Sequence, residues 1–165
     1  MSDAVLPLAA EDLAGEGGEA LLTLNNAHAL ELSWLEPERF ARLVGEAFVA
    51  RRVGRADALL LTFDQDADYD SPNFLWFRER YGRFVYVDRV VVAHGARGRG
   101  LARRLYDDLF AAAQTAGHER IVCEVNSDPP NPGSDAFHAA LGFVPVGTAA
   151  IHGGKKTVTY LERRL

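Results

Sequence analysis

One stretch of the chain, residues 83–117, constrains the fold more than any other. β-branched and aromatic side chains fill Arg83–Ala93 and predict a strand. A turn rich in glycine and arginine follows at residues 94–100, and Leu101–Ala116 then carries apolar side chains at helical spacing until Gly117. The sequence therefore predicts a strand, a glycine-rich turn and a helix in direct succession.

The turn has the properties of a site for a small anion. The first N–H groups of a helix have no partner within the helix and lie at the positive end of its dipole. Gly98 and Gly100 let an oxyanion approach the backbone closely. The arginines around them are Arg97, Arg99, Arg103 and Arg104. A plain strand–helix connection with solvated arginines stays open as the alternative from these residues alone.

Other phosphate-binding patterns and the overall charge narrow this hypothesis. A P-loop is excluded because Leu101 follows Gly100 where a lysine is needed, and the dinucleotide pattern fails at Arg103. The chain carries 18 Lys and Arg against 23 Asp and Glu, a net charge of −5. Because an acidic protein on average repels nucleic acid and anionic membranes, we expect one small polyanion and neither of those partners.

The rest of the chain alternates helices and strands, which indicates one mixed α/β domain over residues 1–165. Helices are predicted at Ala20–Leu32, at Pro37–Ala47 and from a Ser134 cap to near Leu141. Strands are predicted at Val5–Leu8, Ala47–Val53, Ala58–Phe63, Ile121–Val125, Phe143–Val146 and Lys155–Leu161. The aromatic segment Phe74–Tyr81 fits either core packing or the wall of a pocket.

The composition argues against secretion, membrane insertion and metal binding. The N-terminus has no basic stretch followed by an apolar run, and no apolar segment approaches the ~18 residues of a membrane span. We therefore expect a soluble, cytoplasmic protein. Cys123 is the single cysteine and is interpreted as a small buried side chain. The five histidines are too far apart in sequence to suggest a metal site, so no metal is predicted.

Two motifs, in this order, resemble those of the GNAT superfamily of acyl-CoA N-acyltransferases. Arg97-Gly98-Arg99-Gly100-Leu101-Ala102 is similar to the signature Arg/Gln-x-x-Gly-x-Gly/Ala. Asn131-x-x-Ser134-x-x-Phe137-His138-x-x-x-Gly142-Phe143 is similar to the second element, Asn-x-x-Ala/Ser-x-x-Phe/Leu-Tyr-x-x-x-Gly-Phe. The resemblance covers Val85–Val146 and extends to a poorly characterised bacterial subgroup. It implies an α/β (α+β) fold with a mixed central sheet of six to seven strands flanked by about four helices.

The resemblance implies that acetyl-CoA is the co-substrate and which residues bind it. The backbone N–H groups that hold the pyrophosphate are those of Arg99, Gly100, Leu101, Ala102 and Arg103, in a turn that starts at Arg97 and is shaped by Gly98. The pantetheine arm pairs with backbone groups of Val90, Val91 and Val92. Asn131 matches an asparagine that hydrogen-bonds the coenzyme, and Phe137 packs along the coenzyme or the core. The proline-rich loop Asn126–Gly133 either positions Asn126 against the coenzyme or is a stiff connection.

Acyl transfer to an amine needs a base for the amine proton and a modest acid for the departing thiolate. Where the superfamily commonly has a tyrosine as the acid, this chain has His138, as in the phosphinothricin-type branch that it also resembles. His138 either acts as the acid or only packs beside the coenzyme. Asp88 and Glu124 lie on predicted strands and are the candidate bases. A structural ion pair, of Asp88 with Arg89 for example, is the alternative.

The acceptor site must come from the N-terminal half or from a partner subunit. Candidates to hold the amine are Asn25, His28, Glu31, Tyr69, Asn73, Trp76 and Tyr81, each of which surface or core packing also explains. The predicted function is acetyl transfer to a small-molecule amine in a ternary complex, directly because Cys123 is the only thiol. A catalytically weak coenzyme A-binding module is the alternative. The resemblance also makes a homodimer possible.

Overall fold

One seven-stranded sheet runs through the computed structural model, which describes residues 3–29 and 32–165. Its strands are β1 (Val5–Pro7), β2 (Ala50–Val53), β3 (Ala58–Asp64), β4 (Val85–Val92), β5 (Arg120–Asp128), β6 (Val144–Ile151) and β7 (Lys156–Arg164). The helices among the described residues are α1 (Glu16–Ala27), α2 (Pro37–Glu46), α3 (Pro72–Arg78), α4 (Leu101–Thr115) and α5 (Pro132–Ala140). The predicted mixed α/β fold is confirmed.

The strands follow the order β1-β2-β3-β4-β5-β7-β6 across the sheet. Neighbouring strands are antiparallel except β4 and β5, which are parallel. A parallel pair needs a crossover connection, and α4 lies in the connection between these two strands. The strand–turn–helix unit that the sequence predicts therefore lies at the centre of the sheet.

Two apolar cores lie on opposite faces of the sheet, because successive side chains of a strand alternate between its faces. In β3, Leu59 and Leu61 belong to the core that holds α1, α2 and α3, whereas Leu60 belongs to the core that holds α4. Phe74 and Phe77 of α3 are fully buried in the first of these cores. The core interpretation of the aromatic segment is confirmed for these two residues.

β4 and β5 separate soon after they meet. The two strands pair only at Val85 with Ile121 and at Tyr86 with Val122. Beyond these pairs β4 continues to its end near the turn before α4, and β5 continues past Val125. A gap therefore opens between the two strands, and it widens toward the N-terminus of α4.

A β-bulge in β4 turns two neighbouring charged residues to the same face of the sheet. Leu61 pairs with Arg89 and Thr62 pairs with Val87, so Asp88 is the extra residue between them. Strict alternation places neighbours on opposite faces. Because of the bulge, both Asp88 and Arg89 reach partners on the α1 side.

The first helix lies closer to the N-terminus than the sequence predicts. The prediction was Ala20–Leu32, whereas α1 begins at Glu16 and has His28 as its C-cap. Gly18 explains the early start. A Cβ at this position would lie 1.9 Å from the carbonyl oxygen of Leu13, so the glycine permits close packing of the helix and does not interrupt it.

The C-terminal strands are longer than predicted. β5 continues past Val125 to Asp128 because β7 pairs with it that far, so Asn126 lies on a strand and not in a loop. β6 and β7 form a long hairpin that is paired from Ile151 and Lys156 inward. This hairpin extends the sheet beside the gap.

The predicted Ser134 cap of α5 is wrong. Asn131 is the N-cap, and its side-chain oxygen accepts a hydrogen bond from the Ser134 backbone N–H. Pro132 follows at the first helical position, where its fixed φ and missing N–H suit a helix start. The helix therefore begins three residues earlier than a Ser134 cap allows.

Candidate active site

Adjoining cavities follow the gap between β4 and β5. From the α4 end, those found among the described residues have volumes of about 550, 340, 140 and 270 Å³, and we name them the turn, strand, narrow and inner cavities. Each cavity shares lining residues with the next. Val92 lines both the turn and strand cavities, Val90 both the strand and narrow cavities, and Glu124 both the narrow and inner cavities. The gap is therefore one groove that starts at the glycine-rich turn and ends in a cavity on the α1 side.

Gly98 and Gly100 keep the turn cavity open. Both have a positive φ, 83° and 72°, and a Cβ at either position would meet no atom within 4 Å. Gly100 is the N-cap of α4, so the N–H groups of Leu101, Ala102 and Arg103 belong to its first turn and have no partner within the helix. Backbone donors and open space thus occur together at the wide end of the groove.

The arginines of the turn differ in what they contact. Arg99 forms ion pairs with Asp3 and Asp57. Its guanidinium is therefore held by the protein, and its backbone remains available to a ligand. Arg97 lines both the turn cavity and the strand cavity, and Arg103 lines the turn cavity. Arg103 also pairs with Asp107 at 3.5 Å, but both side chains are largely exposed, so Arg97 and Arg103 supply the positive charge at this end of the groove.

The strand cavity lies along the end of β4. Residues 90–92 line it on one side, and Asn131 and Ser134 line it on the other. Phe137 lines the neighbouring turn cavity and packs against the core on the α4 side. The predicted coenzyme residues of the turn, β4 and α5 therefore lie along the outer half of the groove, whereas Asn126, also predicted to contact the coenzyme, lines the narrow and inner cavities.

The inner cavity contains both candidate bases. Asp88 and Glu124 line it together with Tyr69, Asn73 and Asn126. These residues come from the loop before α3, from α3 itself and from the two strands that separate. The structure brings together five residues that the sequence analysis identified one at a time.

Glu124 is held by a buried network of hydrogen bonds. The Tyr86 hydroxyl lies 2.9 Å from both carboxylate oxygens, and Asn73 Nδ2 donates to Oε1 at 3.0 Å. The Tyr160 hydroxyl donates to Asn73 Oδ1 at 2.9 Å, which fixes the orientation of that amide. Burial raises the pKa of Glu124 to about 8; the charge on Asp88 adds to the rise, and the bond from Tyr86 opposes it. A pKa near neutrality suits a group that transfers protons.

Asp88 is neutralised by an ion pair. Its carboxylate accepts hydrogen bonds from the Tyr69 hydroxyl and from Arg89 Nε, each at 2.6 Å, and the side chains of the ion pair are only 5% and 4% exposed. Arg89 also donates to Asn25 and Ser33. Burial disfavours the charge on Arg89, but Asp88 outweighs that effect and raises the Arg89 pKa. The charge of Asp88 is already balanced by a guanidinium, whereas Glu124 is held only by neutral donors, so the geometry favours Glu124 as the base.

His138 is buried in the wall of the narrow cavity, with partners at both ring nitrogens. Nδ1 lies 2.8 Å from the Ser134 carbonyl oxygen, and Nε2 lies 2.7 Å from the Tyr106 hydroxyl. Because a carbonyl only accepts, Nδ1 carries the proton, and Nε2 of the neutral ring accepts from Tyr106. Burial lowers the pKa of His138, against the opposing effect of the Ser134 bond. The contacts favour a neutral ring.

Two of the predicted acceptor residues lie outside the inner cavity, next to α1. Asn25 is fully buried and accepts a hydrogen bond from Arg89, so it orients the ion pair and does not line the cavity. His28 lines the strand cavity, because α1 ends beside β4. A third candidate, Glu31, lies outside the described residues.

Two aromatic acceptor candidates also lie elsewhere. Trp76 stacks on Tyr160 with ring centroids 4.1 Å apart and is covered by Gly147, where a Cβ would lie 2.5 Å from the indole. It therefore supports the cavity wall from behind. The Tyr81 hydroxyl donates to Glu162 at 2.6 Å, away from the groove. Both side chains point away from the cavity. They lie on the face of α3 and of its C-terminal turn that packs on β6 and β7.

Three buried tyrosines of the groove were missed by the sequence analysis. Tyr86 and Tyr160 hold the Glu124 network, and Tyr106 contacts His138. One signal was available for Tyr86: it lies two residues before Asp88 and so shares its face of β4. The partners of Tyr160 and Tyr106 are distant in sequence, so no local pattern marks them.

The described residues contain no group of three His, Cys, Asp or Glu side chains that could hold a metal ion. Within the same part of the chain, no helix is long and apolar enough to cross a membrane.

The comparison with protein families identifies the class of protein. A model of the acetyltransferase (GNAT) family matches residues 62–143, which include β4, the turn, α4, β5 and α5. The chain belongs to this family and is an acetyltransferase by that membership. No curated protein matches the sequence.

Solved structures of acetyltransferases have the same fold. The ribosomal-protein-S18-alanine N-acetyltransferase of Escherichia coli has a TM-score of 0.70 at 18% identity, covering 98% of this chain and 92% of that one. NAA60 of Arabidopsis thaliana, in complex with acetyl-CoA, has a TM-score of 0.71 at 16% identity, covering 98% of both chains. A chain of the NatC complex bound to Gag peptide and CoA has a TM-score of 0.72 at 12% identity, covering 100% of this chain and 99% of that one. At these identities the likeness establishes the fold alone.

Proposed function

We propose that this chain transfers the acetyl group of acetyl-CoA directly to the amine of a small molecule. The observation that carries the proposal is the position of Glu124, a half-buried carboxylate at the point where the narrow and inner cavities adjoin. The coenzyme occupies the outer groove and the acceptor occupies the inner cavity. That cavity, about 270 Å³, is slightly below the usual pocket range of about 300–1,000 Å³, which favours a small acceptor.

The residues of the outer groove fit coenzyme A. The open space at Gly98 and Gly100, the first-turn N–H groups of α4 and the charges of Arg97 and Arg103 suit a pyrophosphate. The β4 edge at residues 90–92 suits an extended pantetheine arm, which binds as an added strand does. When bound, acetyl-CoA supplies the thioester whose acetyl group is transferred. Two structures with this fold hold CoA or acetyl-CoA, which supports the assignment.

Glu124 takes the proton of the acceptor amine. An alkylammonium group has a pKa near 10, so a carboxylate with a pKa of about 8 accepts its proton far more readily than an ordinary carboxylate does. Glu124 passes this proton to water, the amine nitrogen bonds to the acetyl carbon, and Glu124 then takes the second proton that the nitrogen must lose. The carbon–sulfur bond breaks to give the amide and the thiolate. Tyr86 and Asn73 hold the carboxylate in place throughout.

His138 acts on the departing thiolate through Tyr106. When the ring binds a second proton, Nε2 donates to the Tyr106 oxygen, and the Tyr106 O–H is then free to turn into the groove. The thiolate takes the Tyr106 proton, and Tyr106 takes the proton of His138. Because a thiol has a pKa near 8.5, the thiolate leaves readily and this help is modest.

Transfer is direct, without an acyl-enzyme. Cys123 is the single cysteine of the chain, and burial raises the pKa of its thiol. The protonated thiol is a poor nucleophile at neutral pH. The acetyl group therefore passes from the coenzyme to the amine while both are bound.

The alternative, a coenzyme A-binding module without turnover, is separated from the enzyme by one assay. Purified chain is mixed with acetyl-CoA and a panel of small primary amines, and both free thiol and acetylated amine are measured. We expect thiol release that depends on the amine, with one acetylated amine formed for each thiol. Coenzyme binding without turnover on any amine would favour the module. A cytoplasmic location and a homodimer stay predictions.

A further inference from the structure

The rim of the inner cavity carries positive charge that the proposed reaction does not use. Lys156 begins β7 and lines the cavity, as does Arg39 of α2. Lys156 is half-buried and forms no ion pair within residues 3–29 and 32–165. A charged side chain that a ligand would cover needs a charged or polar partner from that ligand.

Arg39 is available to the same ligand. Its guanidinium lies 3.7 Å from Asp70, but the Asp70 side chain is 93% exposed. Exposed pairs of this kind contribute about 0–1 kcal/mol, so an entering anion can compete for Arg39. The guanidinium also lies 5.8 Å from the centre of the Tyr69 ring, which keeps it over the cavity wall.

The floor of the cavity has carboxylates where the rim has cationic side chains. Glu124 needs an amine, and Asp88 is already neutralised by Arg89. The excess positive charge therefore lies at the rim and the proton-accepting carboxylate at the floor. Glu124 pairs with Tyr160 across β5 and β7, and Lys156 lies four residues before Tyr160, about 13 Å along the strand. Both side chains line the same cavity, so a short molecule can contact both.

We propose that the acceptor is a primary amine that also carries an anionic group, a carboxylate or a phosphate-type oxyanion, which Lys156 and Arg39 bind at the rim while Glu124 binds the amine. This inference rests on the proposed function. It distinguishes such acceptors from simple amines, which leave Lys156 without a partner, and from peptide N-termini, which present a neutral amide next to the amine.

The kinetic test compares amino acids with their amides. Glycine, β-alanine and 4-aminobutyrate, each beside its amide, are assayed for thiol release from acetyl-CoA. We expect at least one acid to exceed its amide about tenfold or more in kcat/KM, as a charge-assisted contact predicts. Lys156→Gln removes this preference by raising the KM of the acid, and Lys155→Gln, at an exposed neighbour, leaves it unchanged. Equal rates for acids and amides, equal effects of the two variants, or a neutral peptide as the best acceptor would overturn the inference.

A binding test separates this inference from the proposed function. Thermal unfolding of the CoA-saturated protein is measured with each acid and each amide. We expect an acid to raise Tm while its amide does not, and Lys156→Gln to abolish the difference. The absence of any acid-specific shift contradicts the rim site even if simple amines are acetylated. An acid-specific shift without acetylation of any amine contradicts the proposed function and leaves the rim site standing.

Discussion

The turn cavity takes most of its lining from one contiguous segment, residues 96–103, whereas the inner cavity takes its walls from α2, α3, three loops and four strands. The turn works through backbone N–H groups and missing side chains. The inner cavity works through side chains that meet only after folding, such as Glu124 with Asn73 and Tyr86. The two ends of one groove are therefore specified in different ways.

The two ends also differ in their electrostatics. The turn is open to solvent; Arg97 forms no ion pair in the described part of the chain, and Arg103 pairs only with the exposed Asp107. The inner cavity instead holds the nearly buried ion pair of Asp88 and Arg89 and the half-buried carboxylate of Glu124. Burial makes the inner end sensitive to single atoms and to pH, whereas the outer end depends on shape.

Glu124→Gln tests the inner end with the largest expected effect. The amide keeps the size of the side chain but takes no proton, so we expect kcat to fall about 10²- to 10⁴-fold while coenzyme affinity is unchanged. Steady-state kinetics and calorimetric titration with CoA measure the two quantities. Glu119→Gln, at an exposed position, is the matched control. A loss smaller than tenfold would contradict the assignment of the base.

The same variant has an effect on stability that depends on pH. Burial raises the pKa of Glu124 from its ordinary 4.5 to about 8, so between these values the folded protein binds more protons than the unfolded chain. The free energy of unfolding contributed by Glu124 is therefore fully present below about pH 4.5 and is lost as pH rises through 8, on the order of 5 kcal/mol in total.

Urea unfolding at several pH values measures this effect as the difference between wild type and Glu124→Gln. We expect wild type to lose stability relative to the variant as pH rises from 5 to 8. If the two proteins changed in stability with pH in parallel, the Glu124 carboxyl would be solvated and its pKa would not be raised. Gly100→Ala adds no titrating group and leaves the contacts of Glu124 unchanged, so this variant should keep the wild-type pH dependence.

Gly100→Asp tests the outer end. The substitution places a side chain and a negative charge in the open space of the turn cavity, at a φ of 72°. We expect coenzyme A to bind at least about 100-fold more weakly, or about 3 kcal/mol, in calorimetric titration. Gly95→Asp adds the same charge at an exposed residue with no positive φ, and we expect it to retain most of the affinity. If both variants lost the same affinity for coenzyme A, the loss would come from the added negative charge alone and not from the position of Gly100.

The contrast between the two ends explains how much could be predicted. Gly98, Gly100 and the first turn of α4 lie next to each other in sequence, so a local motif was enough to predict a phosphate-binding turn. Glu124 was identified because a carboxylate on an interior strand is costly without a role. Tyr86, which donates to Glu124, and Tyr160, which donates to Asn73 of the same network, were missed. No spacing in the sequence indicates a contact between residues of separate strands.

The errors have the same origin. Trp76 and Tyr81 were sensible acceptor candidates by residue type, but the orientation of α3 and its C-terminal turn directs them to β7 and away from the groove. The bulge that turns Asp88 and Arg89 to one face depends on the register of β4 against β3. The register between neighbouring strands decides which side chains enter the inner cavity, and this register cannot be predicted from a single sequence.

His138→Phe tests the junction of the two ends, with the smallest expected effect. We expect kcat to fall about tenfold, less than the roughly 10²- to 10⁴-fold typical of a general acid because the thiolate leaves readily, with coenzyme affinity changed less than kcat. Because burial lowers the pKa of His138, activity that depends on its protonated form declines as pH rises through a value below 6.5. Both His138→Phe and Tyr106→Phe should remove this decline from the pH–rate profile, because the proton passes through the Tyr106 hydroxyl. A profile unaltered in both variants would assign His138 to packing between Tyr106 and Phe143, and proton transfer would then belong to the inner end alone.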